Sequence, residues 1–82
     1  MFKVGGFYRK VFVGGGPGED WFKPGEIVHV LAIAKSELLG ECWIVEDSDS
    51  VNFNPITNNV DPSLWEVSSK KDFSNLWSVN AE

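Results

Sequence analysis

The sequence predicts a mainly all-β fold of five short strands, and three observations carry that prediction. Glycine, proline and asparagine punctuate the chain at short intervals, the spacing of turns between strands. The runs between them, above all Glu26 to Ala34 and Glu41 to Asp47, are of strand length and rich in β-branched or aromatic residues. Finally, 82 residues with 43% hydrophobic and 13% aromatic side chains build one core and leave nothing for a second. The same composition excludes a disordered tail.

In chain order, Phe2 to Val13 supplies one or two extended pieces, broken at Gly5-Gly6. Gly14-Gly15-Gly16-Pro17-Gly18-Glu19-Asp20 has no side chains to pack and is expected as an exposed loop. Lys23-Pro24-Gly25 turns the chain tightly into the Glu26 strand, and Lys35 to Gly40 turns it out again into the Glu41 strand. Ser48-Asp49-Ser50 is a polar turn before a third hairpin partner, Val51 to Thr57, which Pro55 confines to an edge, a bulge or a strand end. Asn58-Asn59 tolerates left-handed backbone and marks the next turn. Asp61 then caps a single helical turn with Pro62 at its first position, and a brief strand ends near Val67. Residues 1–67 thus form the β-domain and residues 68–82 an extension. Asp72 sits near the start of a short C-terminal helix, which places Phe73, Leu76 and Trp77 on one face.

Alternation puts Val28, Val30 and Ala32 on one face of the Glu26 strand and Ile27, His29, Leu31 and Ile33 on the other. Both faces are largely apolar, so something covers the second. The tail helix is the expected cover, and a second protomer is the alternative, which leaves monomer and homodimer open. The expected core is Val28, Val30, Ala32, Ile44 or Val45, Phe53 or Ile56, and Val67.

Twelve acidic against seven basic side chains give a net charge of −5, which repels a phosphate backbone unless the cations cluster. Arg9-Lys10 and Lys70-Lys71 lie far apart, so nucleic acid is not an expected partner. One cysteine and one histidine provide neither an internal disulfide nor a four-ligand zinc site, and no cofactor is expected. His29 and Cys42 fall on neighbouring predicted strands, where a buried thiol beside a half-exposed imidazole is far commoner than a nucleophile and its base. The glycine run lacks the Lys-Ser/Thr ending of a phosphate loop, and adjacent Glu46 and Asp47 point to opposite faces of their strand. The chain is therefore not expected to be an enzyme. No stretch resembles a signal peptide or approaches the ~20 apolar residues of a membrane span, which predicts a soluble, cytoplasmic protein.

The order of parts resembles that of Src-homology-3-like barrels. A glycine-rich loop follows the first strand, then come Phe22-Lys23-Pro24-Gly25-Glu26-Ile27-Val28-His29-Val30-Leu31, the Trp43 strand, and Pro62-Ser63-Leu64-Trp65-Glu66-Val67. In that family a Lys-Gly-acidic turn opens a strongly apolar strand, and a Pro-Ser-Asn-Tyr turn precedes the last strand. The resemblance spans Phe7 to Val67 and implies a five-stranded barrel. It also implies an aromatic groove to which Tyr8, Trp43, Pro62 and Trp65 would correspond, with Glu19 and Asp20 as the acidic residues of the first loop. The chain departs from the signalling members in having Gly6-Phe7-Tyr8-Arg9-Lys10 where they carry Ala-Leu-Tyr-Asp-Tyr, and one central tryptophan where they have two. The start Met-Phe-Lys-Val-Gly resembles small accessory proteins of tailed phages, which would make the cytoplasm that of a host cell.

Four tryptophans, six phenylalanines and one tyrosine exceed what one small core holds, so some are expected at a working surface. Tyr8, Glu19, Asp20, Trp21, Trp43, Pro62 and Trp65 are the candidate site, with Trp43 and Trp65 equally able to complete the core. Aromatic anchors with an acidic rim suit a protein partner that presents apolar side chains flanked by Lys or Arg. The expectation is a non-catalytic interaction or inhibitor protein. The alternatives are a binder of a planar ligand such as a nucleotide, stacked on Trp21, Trp43 or Trp65, and a single-stranded nucleic-acid-binding barrel.

Overall fold

The computed structural model describes residues 2–47 and 53–77. The expected turn at Ser48-Asp49-Ser50 and the strand start at Val51 lie outside the described residues, as do the side chains of Phe53, Leu76 and Trp77. The elements are β1 (Phe7–Lys10), β2 (Ile27–Ser36), β3 (Gly40–Asp47), β4 (Phe53–Thr57), β5 (Trp65–Val67) and the helix α1 (Lys70–Trp77). Single 3-10 turns at Glu19–Trp21 and Pro62–Leu64 precede β2 and β5. The strands pair antiparallel in one sheet of order β4-β3-β2-β1-β5. The all-β class is as predicted, but the expected five-stranded barrel is not closed: among the described residues the sheet is open, because β4 and β5 do not pair and are its two edges.

Local chemistry explains the joints. Gly25 takes a φ of 98° in the turn before β2, where Glu26 N–H donates to the Lys23 carbonyl over 3.1 Å. In the β2–β3 turn the Ser36 hydroxyl accepts from the N–H groups of Leu38 and Leu39. Asp61 caps the second 3-10 turn, its carboxylate accepting from Ser63 N–H at 3.0 Å and from Ser63 Oγ at 2.7 Å. These bonds hold the Asp61 carboxyl below its ordinary value of 3.8. The Asn58-Asn59 turn forms without left-handed backbone, since no non-glycine residue among those described has a positive φ.

One face of the sheet carries the core of Tyr8, Val28, Val30, Val45, Ile56 and Trp65, joined by Phe2 and Phe22. Phe2 stacks on Tyr8 at 4.6 Å and meets Trp43 and Trp65 edge-on. Val28, Val30, Val45 and Ile56 are where the sequence placed them, whereas Ala32 and Val67 are exposed. A bulge explains Ala32: Val30 pairs with Val45 but Ala32 with Ile44, so Leu31 is an extra residue in β2. Every side chain beyond it changes face, which moves Ala32 outward and sets Ile33 opposite Trp43. Val67 pairs with Tyr8 but ends a three-residue edge strand, where it is 78% exposed.

The opposite face carries Phe7, Arg9, Ile27 and His29, and α1 covers part of it. Ser69 Oγ accepts from Asp72 N–H at the helix start, and Phe73 packs 5.4 Å from the Phe7 ring and 6.0 Å from His29. Arg9 binds Glu66 at 2.8 Å and Asp72 at 3.3 Å, tying β1 to β5 and to the helix. The helix meets this face at Phe7 and His29, not at Ile33, which the bulge turns to the Trp43 side and which stays half exposed.

Candidate functional site

The seven sequence-chosen residues do not form one surface. Tyr8 and Trp65 are core, so neither is an exposed anchor. The Tyr8 hydroxyl accepts from Lys3 N–H at 3.0 Å, and Trp65 lies under Phe2 and Phe22. Trp43 is half buried against the same core, its indole N–H buried without a hydrogen-bond partner. Glu19 is also buried, contrary to its expected place on an acidic rim, and Pro62 is exposed on the second 3-10 turn. Asp20 and Trp21 stand together at a concave surface, a groove of about 290 Å³.

The groove is built from three segments. Pro17, Gly18, Asp20 and Trp21 come from the first loop, Leu39 from the β2–β3 turn, and Asn54 and Pro55 from β4. Trp21 is 73% exposed, and beside the groove Leu38 is 95% exposed. Among the described residues, Asp20 is the one charged side chain in the lining.

Two buried charges position the loop wall, and the sequence reading missed both roles. Lys10 has no exposed surface, and its ammonium donates to the carbonyls of Gly14 at 2.9 Å, Glu19 at 2.7 Å and Phe22 at 3.1 Å. It also sits 5.3 Å above the Trp65 ring. Desolvation lowers the Lys10 pKa, opposed by the charges of Glu19, Asp20 and Glu26. Glu19 accepts from Trp65 Nε1 at 2.8 Å, Asp61 N–H at 2.9 Å and Gly16 N–H at 3.0 Å. Such polar groups are tolerable inside because the ammonium meets three acceptors and the carboxyl group three donors. Read along the chain, Arg9-Lys10 and Glu19-Asp20 look like solvated pairs; the alternation of β1, with Tyr8 and Lys10 on one side, is the one signal that Lys10 points inward.

The loop also approaches the sheet edge closely. Gly18 has a φ of 84°, and a Cβ there would lie 2.2 Å from the Pro55 carbonyl oxygen. Thr57 N–H donates to the Pro17 carbonyl at 3.3 Å. Since Pro55 has no N–H, the loop and the proline together shield the outer edge of β4.

On the other side of the sheet, His29 Nδ1 lies 2.8 Å from Glu46 Oε2 and its ring stacks on Phe7 at 4.2 Å. Cys42 is a buried free thiol. No group of three or more His, Cys, Asp or Glu able to hold a metal occurs among the described residues, and none of their helices is long and apolar enough to cross a membrane. Compared with protein families, curated proteins and solved structures, the chain gives no match.

Proposed function

We propose that the chain is a protein-binding module whose groove takes an apolar side chain from a partner segment carrying Lys or Arg beside it. The observation that carries this reading is Trp21, a large amphipathic ring 73% exposed on the wall of a concave site. Tryptophan in such a place is costly to leave in water and concentrates binding energy when covered. A volume of about 290 Å³ suits one or two side chains. Among the described residues the groove offers the Asp20 carboxylate and no basic side chain, on a molecule of net charge −5; this favours a basic partner and opposes pairing with a second copy. The sheet order β4-β3-β2-β1-β5, with a 3-10 turn just before β5, supports a Src-homology-3-like arrangement as the scaffold.

The test is selection from a random peptide library on the wild-type chain, with Trp21→Ala as the counter-target. Trp21 is exposed enough that its removal leaves the fold intact. The expected result is enrichment of peptides with a large apolar residue close to Lys or Arg, binding Trp21→Ala about 30-fold more weakly. Enriched peptides that bind both proteins equally, or carry Asp and Glu instead, would overturn the reading.

A further inference from the structure

We propose that Glu19 is the positioning residue of the groove: its buried carboxylate latches the first loop onto the sheet and so sets where Asp20 and Trp21 stand. The loop has little else to hold it. From Gly14 to Gly18 it contains four glycines and one proline, with no apolar side chain to bury beyond the Pro17 ring. Beside the close approach of Gly18 to the Pro55 and Ile56 backbone, it is joined to β4 by long bonds, Thr57 N–H and Thr57 Oγ each donating to the Pro17 carbonyl at 3.3 and 3.4 Å.

Glu19, in contrast, joins three separate stretches of chain. Oε2 accepts from Gly16 in the loop, and Oε1 accepts from Asp61 before the second 3-10 turn and from the Trp65 indole in β5. Lys10 completes the arrangement from β1 by holding the Gly14, Glu19 and Phe22 carbonyls. The groove residues Pro17, Gly18, Asp20 and Trp21 lie between those pinned points, so a loosened carboxylate moves the whole wall. All three partners are donors, so the site calls for two acceptor oxygens. Glutamine presents one oxygen and one NH₂, and whichever way it turns, its NH₂ faces an N–H.

Native-state hydrogen exchange reads the latch directly. In the wild-type chain Gly16 N–H, Asp61 N–H and Trp65 Nε1–H should open as one unit, with a common opening free energy and denaturant dependence. In Glu19→Gln those three should exchange about tenfold or more faster, while Val30 and Val45 amides in the sheet keep their protection. Independent opening in the wild type overturns the latch without requiring any variant to fold, and so does loss of sheet protection in Glu19→Gln, which would make Glu19 a general support of the fold.

The binding arm rests on the groove reading and uses the most enriched library peptide as probe. About tenfold weaker binding to Glu19→Gln accompanying faster loop exchange supports the latch as the groove's positioning device. Faster exchange with unchanged binding refutes the groove as the binding surface while the latch stands.

Discussion

Replacing Gly18 by alanine tests the close approach of the first loop to β4, and Gly14→Ala supplies its control. Both glycines have positive φ, 84° and 101°, so alanine is strained at either position at a cost of ~1–2 kcal/mol. Their surroundings differ. A Cβ on Gly14 meets nothing within 4 Å, whereas one on Gly18 would lie 2.2 Å from the Pro55 oxygen and 3.0 Å from the Ile56 Cα. Those are backbone atoms of a paired strand, so no rotamer change relieves them, and the overlap adds ~1–3 kcal/mol. Gly18→Ala should therefore lose more stability than Gly14→Ala by that second amount, or relieve the clash by lifting the loop and breaking the bond between Thr57 and Pro17. Urea unfolding followed by circular dichroism gives the stability difference, and amide exchange at Thr57 reports the lifted loop. Equal stability in the two variants, with Thr57 still protected, would refute the packing of the loop against β4.

Val30→Asp places a charge at a position with no exposed surface in the centre of the core and should unfold the chain, at a cost of several kcal/mol; a cooperative melt at the wild-type temperature would remove β2 from the core. Phe73→Ala should cost ~2 kcal/mol by stripping the cover from Phe7 and His29, seen as a lower urea midpoint, and no change would show that α1 does not support this face. Because the folded Asp61 pKa lies below its ordinary value of 3.8, its stabilisation is complete above that value and is lost as pH falls through the folded pKa. Asp61→Ala should therefore show a shallower loss of stability than wild type on acidification below pH 3.8, and identical acid limbs of the two stability curves would contradict this.

The parts legible in the sequence are those fixed by neighbouring residues. Lys23-Pro24-Gly25 specifies a turn, Asp61-Pro62 a cap and first helical position, and Pro55 an edge, all through local backbone chemistry. The bulge at Leu31 is illegible because no glycine or proline marks it; it shows only in the pairing of β2 with β3, where the register shifts between Val30 and Ala32. That missing residue of register accounts for the misassigned faces of Ala32 and Ile33. The resemblance places Tyr8 and Trp65 in an aromatic groove, but residue type does not tell an anchor from a core ring, and Phe2 decides the matter by packing on them both. Asp20 and Trp21 were legible as half of a site. The other half, Leu39, Asn54 and Pro55, arrives through strand pairing across the sheet. Lys10 and Glu19 look like surface charges until the carbonyls and N–H groups around them are in view.

The groove as working surface is tested most directly by mapping a bound peptide on the wild-type chain. A ¹⁵N-labelled sample titrated with the most enriched basic-apolar peptide should show its largest amide shifts at Gly18, Asp20, Trp21, Leu39 and Asn54, together with the Trp21 indole N–H. Shifts confined to Val67 and α1, or scattered over the sheet without the Trp21 indole, would contradict it.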